Sequence, residues 1–199
     1  MSTKTLGLLG MITSPFLAID LLISGMYEKY HASSMSGLFN LLYMTGWLCC
    51  VVAFYRNKAT GKNVIGKAVI IVQVVFLLLA ETWNVYSIIQ PHADTTAFKL
   101  LDMFWPVSNS FMFITGLAII FAKRLAGWQR YIPIIVGMWL PVCLIIFPLV
   151  FGRDTITFFT TIIYSAVAWF LLGLSVYLGK PVMADVVRTG SEIIRPPVI

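Results

Sequence analysis

The stretch VIGKAVIIVQVVFLLLAETWNVYSII, residues 64–89, decides the fold class of this chain. Its charged residues are Lys67 near the start and Glu81 in the second half. The stretch is longer than the roughly 20 residues that an α-helix needs to cross the hydrocarbon core of a bilayer. Membrane β-strands would instead alternate apolar and polar residues over about 10 positions. We therefore predict a membrane-spanning helix with one acid inside it.

The same apolar pattern recurs along the 199 residues, of which 59% are hydrophobic and only 11% charged. A soluble domain has about 25% charged residues, so this chain could not cover a water-facing surface. The sequence predicts an all-α, polytopic integral membrane protein: a six-transmembrane-helix bundle that forms one domain, residues 1–179. The predicted spans are residues 6–27, 37–55, 64–89, 100–122, 131–151 and 155–178.

The basic residues are divided unequally between the two ends of the predicted bundle. Eleven lie with the N-terminus, the second and fourth connections and the C-terminus, whereas only Lys29, Lys99 and Arg153 lie on the other side. Cytoplasmic loops of membrane proteins carry the excess of Lys and Arg. We therefore predict cytoplasmic N- and C-termini in a bacterial cell membrane (plasma or inner). The tail, residues 180–199, is expected to be an interfacial helix or a frayed end.

The net charge of +6 is consequently an orientation signal with affinity for lipid headgroups, and it does not imply nucleic acid as a partner. The predicted partner is the lipid bilayer itself. Cys49 and Cys50 lie at a different depth from Cys143, and the two histidines, His31 and His92, are predicted to lie at the outer surface. No spacing typical of a metal site or a disulfide framework results, so we predict no metal and no cofactor.

Small residues recur at similar places in the spans. Thr45-Gly46 and Thr115-Gly116 each precede an apolar stretch that ends in basic residues, and Gly173 is followed by Lys180. This could indicate three duplicated hairpins. We favour the simpler interpretation that small residues mark close contacts between membrane helices.

Polar side chains of several spans are predicted to lie at one depth, in the outer half of the membrane. In the third span Gln73, Leu77, Glu81, Asn84 and Ile88 fall within about a quarter-turn of one another at the helical repeat. Such polar stripes face the bundle interior, because lipid would penalise them. We predict an outward-opening pocket lined by aromatic residues. The candidate pocket residues are Asp20, Asn40, Glu81, Asn84, Asp102, Trp105, Asn109, Thr161 and Tyr164.

Asp20 and Glu81 are the candidate residues best suited to proton transfer or cation binding. Each lies about five or six residues, or ~8 Å, below the outer edge of the hydrocarbon core. Without a nearby cation, a buried acid is either neutral and able to donate a proton, or charged and able to attract a cation or protonated amine. The alternative is that both acids only bond to neighbouring helices, at ~0.6–2 kcal/mol each. We favour function for Glu81, because an amide would serve packing at a lower desolvation cost.

Three functions fit these observations. The first is binding or transport of a small molecule or cation, coupled to protons. The second is an enzyme acting on a lipid or isoprenoid, an isomerase or cyclase that uses Glu81 or Asp20 as the acid. The third is a non-catalytic membrane subunit or sensor. The sequence does not decide between them, nor does it give the oligomeric state.

Overall fold

The computed structural model describes residues 1–27, 30 and 33–179, and within these ranges the regular secondary structure is helical, with no strand. Five helical segments are long and apolar enough to cross a membrane: Thr3–Met26, Ser34–Arg56, Val64–Ile89, Thr96–Ala122 and Thr155–Leu178. A sixth candidate is a pair, Gly127–Gly137 and Trp139–Phe151, bent by 56°. The all-helical class is therefore confirmed, and the lengths and apolar character of these helices fit a protein embedded in a membrane. The tail, residues 180–199, lies outside the described residues.

In chain order, three of these segments are single helices and the other three contain breaks. The helices are α1 (Thr3–Thr13), α2 (Pro15–Met26), α3 (Ser34–Arg56), α4 (Val64–Ile89), α5 (Thr96–Asp102), α6 (Phe104–Ala122), α7 (Ile132–Gly137), α8 (Trp139–Pro141), α9 (Phe147–Phe151) and α10 (Thr155–Leu178). A 3-10 turn, Gly127–Tyr131, precedes α7, and a π-helical turn, Val142–Ile146, separates α8 from α9.

Short polar side chains determine where most of the spans begin. Ser2, Ser33, Asn63, Thr95 and Asp154 each accept a hydrogen bond from a backbone N–H of the first helical turn. These N-caps satisfy donors that have no partner within the helix. The sequence therefore encodes the start of these helices at single positions.

Prolines lie at the breaks within the spans. Pro15 is the first residue of α2, directly after Ser14, and Pro106 is in the first turn of α6, where an amide N–H has no helical acceptor. Pro141 ends α8 and is followed by the π-helical turn. Proline kinks and π-turns are the usual causes of bends in long helices. Pro141 has no N–H to donate to the carbonyl of Gly137, four residues earlier, which accounts for the bend of the fifth span at Met138.

The spans form a closed ring in chain order. The α1 helix packs against α10 and α3, α3 packs against α4, α4 against α6, and α6 against α7. The ring closes because α10 packs against α7 as well as α1. The α3 helix also touches α10, and half of its most apolar window is buried, more than in any other long span. It is the central helix of the bundle.

Glycines allow three of these helices to cross at very short range. A Cβ atom at Gly173 of α10 would lie 2.5 Å from the backbone nitrogen of Met11 and 2.8 Å from the carbonyl carbon of Gly10. A Cβ at Gly46 of α3 would lie 3.2 Å from the Cα of Gly10. Small residues of this kind let membrane helices approach backbone to backbone. The recurring small residues in the sequence therefore lie at helix contacts.

Replacing Gly173 by alanine should destabilise the bundle, because the new methyl group meets backbone atoms that cannot move aside. We expect a loss of about 1–3 kcal/mol or more in the free energy of unfolding. The matched control is Gly25→Ala, whose Cβ would meet only the ring of Phe158, a side chain that can rotate. Unfolding by SDS in mixed micelles, followed by circular dichroism, measures both. Equal stability of the two variants would contradict this packing.

Candidate functional site

Glu81 lies on the buried face of α4 together with Gln73, Leu77 and Asn84. Ile88, the fifth residue of the predicted stripe, is only partly buried. Its side chain is only 9% exposed. The Thr45 hydroxyl of α3 donates a hydrogen bond to one carboxyl oxygen, Oε1, at 3.0 Å. The Asn84 amide donates to the other, Oε2, at 3.3 Å. Both oxygens of Glu81 are therefore bonded to neutral donors.

No Lys, Arg or His among the described residues forms an ion pair with Glu81; the described ion pair, Lys99–Asp94, lies in an exposed connection. Thr45 is exposed on the outside of the bundle and the neighbouring Cys49 is half-exposed. The charge of Glu81 also reaches the Cys49 thiol. The carboxyl group thus lies just beneath the surface of the α3–α4 pair, on a side that faces lipid.

Asp20 forms a second polar cluster at the other side of α3. It is 6% exposed, and its Oδ2 accepts a hydrogen bond of 3.0 Å from the amide of Asn40. The same amide donates to the carbonyl oxygen of Ser36 at 2.9 Å, which fixes its orientation. Tyr30, in the first connection, lies against this cluster: burial raises the pKa of its phenol to about 12, and the Asp20 carboxylate adds to the rise.

Tyr43 lies on α3 between Asn40 and Thr45, the α3 partners of the two acids. It is fully buried. The indole N–H of Trp105, from α6, donates a hydrogen bond to the Tyr43 hydroxyl. Five of the nine predicted pocket residues therefore lie on or against this part of α3: Asp20, Asn40, Glu81, Asn84 and Trp105.

Tyr43 also belongs to a cluster of aromatic residues that sequence reasoning missed. Trp169 of α10 meets Tyr43, Trp47 and Trp139 edge to face, and Trp139 meets Trp105 in the same way, with ring centroids 5.2–6.5 Å apart. The available signal was the mid-span position of Trp47, Trp139 and Trp169, since tryptophans that anchor a helix lie at its ends. The aromatic rings are thus part of the core, next to the polar groups.

Asn109 is the most unusual buried residue of the site. It is completely buried, yet neither its amide nitrogen nor its carbonyl oxygen has a hydrogen-bond partner among the described residues. It lies one helical turn after Trp105 on α6. Gln73, equally buried, is satisfied: it donates to the Ser108 carbonyl at 3.1 Å and accepts from Thr115 at 3.4 Å. Buried polar groups without a partner are rare and usually contact water or a ligand.

The other predicted pocket residues lie elsewhere. Asp102 is exposed at the end of α5, because α5 and α6 form separate helices and its side chain lies outside the bundle. Tyr164 of α10 donates a hydrogen bond of 2.6 Å to the Ile135 carbonyl, and Thr161 contacts Cys143. Thr161 and Tyr164 therefore hold α10 against the bent fifth span and do not contact either acid.

The described cavities are not at the acids. Two lie on the α3–α4 pair near its basic end, one lies beside the second connection and the end of α6, and one is an apolar groove between α10 and the fifth span. Within the described ranges no group of three His, Cys, Asp or Glu side chains is placed to hold a metal ion. The polar groups that the structure brings together around the two acids are carboxyl, amide, hydroxyl and indole groups.

Comparison of the chain with protein-family models, curated proteins and solved structures gives no match. The function is therefore argued from the arrangement of these residues.

Replacing Asn109 by leucine should raise stability by about 1–2 kcal/mol, because it removes a buried amide that no described residue satisfies. Gln73→Leu is the matched control: it breaks two bonds and should lower stability by about 1–3 kcal/mol. Thermal unfolding of both variants in detergent measures the difference. A destabilised Asn109→Leu variant would show that the amide is satisfied in the folded protein.

Proposed function

We propose that this protein binds a small cation or protonated small molecule within the membrane and exchanges it for a proton at Glu81. The observation that supports this proposal is the environment of the Glu81 carboxyl. It is buried in a membrane span and held by two neutral donors, with no ion pair to any described residue. Ionisable residues in such positions are costly, and they typically mark ion, proton or substrate pathways.

The surrounding residues fit this exchange. In the charged form, the Glu81 carboxylate would accept bonds from Thr45 and Asn84 and attract a cation towards the α3–α4 surface. In the neutral form, a proton bound to the carboxylate would take the place of the cation. Binding the cation thus releases one proton, and protonation releases the cation. Asp20 provides a second buried carboxyl group on the other side of α3, held by the Asn40 amide.

An enzyme that acts on a lipid is the second candidate, and one observation favours it. Thr45, which bonds to Glu81, is exposed on the lipid-facing side of α3. A neutral Glu81 could protonate a lipid that enters sideways from the bilayer, and the nearby tryptophan faces could stabilise a developing cation. This reaction would need Glu81 but would show no dependence on a pH gradient.

The third candidate is a non-catalytic subunit or sensor, in which Glu81 only joins helices. The bonds from Thr45 and Asn84 are also those of a packing residue. In that case glutamine at position 81 would preserve both the fold and any function. The substitution Glu81→Gln therefore separates this candidate from the other two.

We further propose six spans, with the bent pair Gly127–Phe151 crossing the membrane once, both termini cytoplasmic, and a plasma or inner cell membrane as the location. The support is the charge distribution. Arg56 donates a hydrogen bond of 2.7 Å to the Met1 carbonyl, so the N-terminus lies at the same end as the basic second connection. The predicted excess of Lys and Arg at this end is typical of a cytoplasmic face.

Labelling of single cysteines in intact cells tests this topology, in a variant whose native cysteines are replaced by serine. Cysteines at Lys62 and Gly127 should be protected from an impermeant maleimide, whereas those at His92 and Arg153 should react. Gly127 precedes the fifth span and Arg153 follows it, so a span that crosses the membrane once gives different labelling at these two positions. Equal labelling at Gly127 and Arg153 would mean that the bent pair enters and leaves on the same face.

The variant Glu81→Gln tests the proposed function. Full-length protein is reconstituted in vesicles that contain a pH-sensitive dye, a pH gradient is imposed, and Na⁺, K⁺ and choline are added in turn. We expect wild-type vesicles to dissipate the gradient faster than empty ones with at least one of these cations, and a loss of about tenfold or more in the variant. Removing a positioned acid or base typically costs 10²–10⁴-fold in rate.

The matched control is Asp94→Asn, which makes the same chemical change at an acid whose side chain is 81% exposed. Its rate should equal that of the wild type. Wild-type rates in Glu81→Gln, or wild-type vesicles that behave like empty ones with all three cations, would contradict the proposal.

A further inference from the structure

A surface groove runs along the α3–α4 pair at the basic end of the bundle. Its apolar part is a cavity of about 220 Å³ lined by Val52, Tyr55, Ile70, Ile71, Val74 and Val75. Its basic part is a cavity of about 250 Å³ whose lining includes Arg56, Lys58 and Lys67. Tyr55 and Ile70 line both cavities. The apolar part therefore continues directly into the basic part.

The basic part has a strong positive charge. Arg56, Lys58 and Lys67 come from the end of α3, the second connection and the first turns of α4, and no acid lines the cavity. The acids among the described residues lie within spans or in the connections at the opposite end. Lys67 also lies near the N-terminus of α4, where the helix dipole disfavours a cation. An anion bound between these three side chains would offset that repulsion.

The apolar part is suited to a hydrocarbon chain. Ile71 and Val75 of α4 are 51% and 46% exposed, on the outside of the bundle. Lys67 and Val75, at the two ends of the groove, are eight residues apart on α4, which corresponds to about 12 Å along the helix axis. Tyr55, 49% exposed, lies where the two parts meet, as expected of an aromatic side chain at the membrane interface.

From this juxtaposition we infer that the α3–α4 groove is a binding site for one anionic phospholipid. Arg56, Lys58 and Lys67 hold the headgroup phosphate, and one acyl chain lies along Ile71, Val74 and Val75. Basic pockets between membrane helices bind such headgroups, and long basic side chains extend towards them from the apolar region. The inference does not depend on the function proposed for Glu81, which lies further along α4.

A phospholipid explains both halves of the groove. A soluble phosphate compound would use only the basic cavity, and it would leave the exposed apolar lining facing bulk lipid. A neutral lipid would use only the apolar cavity, and it would place no anion beside the three cations of a cavity that no described acid lines. Changing one half of the groove at a time separates these occupants.

Native mass spectrometry of the full-length protein in detergent measures the binding. The probes are phosphatidylglycerol, phosphatidylcholine with the same acyl chains, and glycerol 3-phosphate as the soluble headgroup. We expect one phosphatidylglycerol per chain, bound at least tenfold more tightly than phosphatidylcholine, with no competition from equimolar glycerol 3-phosphate. The double variant Lys58→Gln/Lys67→Gln should weaken phosphatidylglycerol binding about tenfold or more, since each cation contributes about tenfold or somewhat less near a membrane surface.

Val75→Trp fills the apolar half without changing the charge, and it should weaken phosphatidylglycerol binding by a similar factor. The matched controls are Lys4→Gln/Lys123→Gln, which removes two cations that do not line the groove, and Val107→Trp on α6, at a valine that is 38% exposed. Both should stay within about twofold of the wild type. All substituted positions are exposed, so the midpoints of thermal unfolding without added lipid should equal that of the wild type. If the lysine variant fails to fold, the comparison of phosphatidylglycerol affinity between Val75→Trp and Val107→Trp tests the inference.

The inference is overturned if phosphatidylglycerol binds no better than phosphatidylcholine, or if glycerol 3-phosphate displaces it at equal concentration. It is also overturned if the control variants lose as much affinity as the groove variants, because the effect would then reflect the overall charge or shape of the bundle.

Discussion

The contact between Gly10, Gly46 and Gly173 is the constraint on which the rest of the structure depends. These glycines bring α1, α3 and α10 together with Cα atoms in near contact, so a methyl group on Gly173 would collide with backbone. The crossing closes the ring of spans and places α3 at its centre. Because α3 then has neighbours on several sides, its polar residues find partners there: Asn40 meets Asp20 and Thr45 meets Glu81. The position of both acids is thus a consequence of how closely three helices pack.

The central helix also explains why polar and aromatic groups coexist in the core. Tyr43 is buried between two acidic clusters, and its hydroxyl accepts a hydrogen bond from Trp105 of α6. One turn further along α3, Trp47 packs against Trp169. In a membrane the apolar surface of a helix gains little by leaving lipid, so packing and interhelical hydrogen bonds stabilise the bundle.

The helical class and the burial of four of the five stripe residues of α4 could be predicted from sequence, because hydropathy and the helical repeat are local properties. The recurring glycines lie at helix contacts, as the simpler interpretation expects. The grouping of the polar residues could be predicted only in part, since it depends on which helices touch. Asp102 and Asn109 are seven residues apart and would lie on one face of a continuous helix. The break at Met103 instead puts Asp102 on a separate helix, where it is exposed. The α3–α4 groove was not foreseen either, because it combines the end of one span with the start of the next.

The central claim is that Glu81 exchanges a proton within the membrane. Infrared difference spectroscopy of the reconstituted protein between acidic and alkaline pH tests this directly, since a neutral carboxyl has a C=O stretching band that the carboxylate lacks. We predict a band that disappears at alkaline pH, is absent from Glu81→Gln and persists in Asp94→Asn. The same band in Glu81→Gln, or no band that responds to pH, would contradict the account.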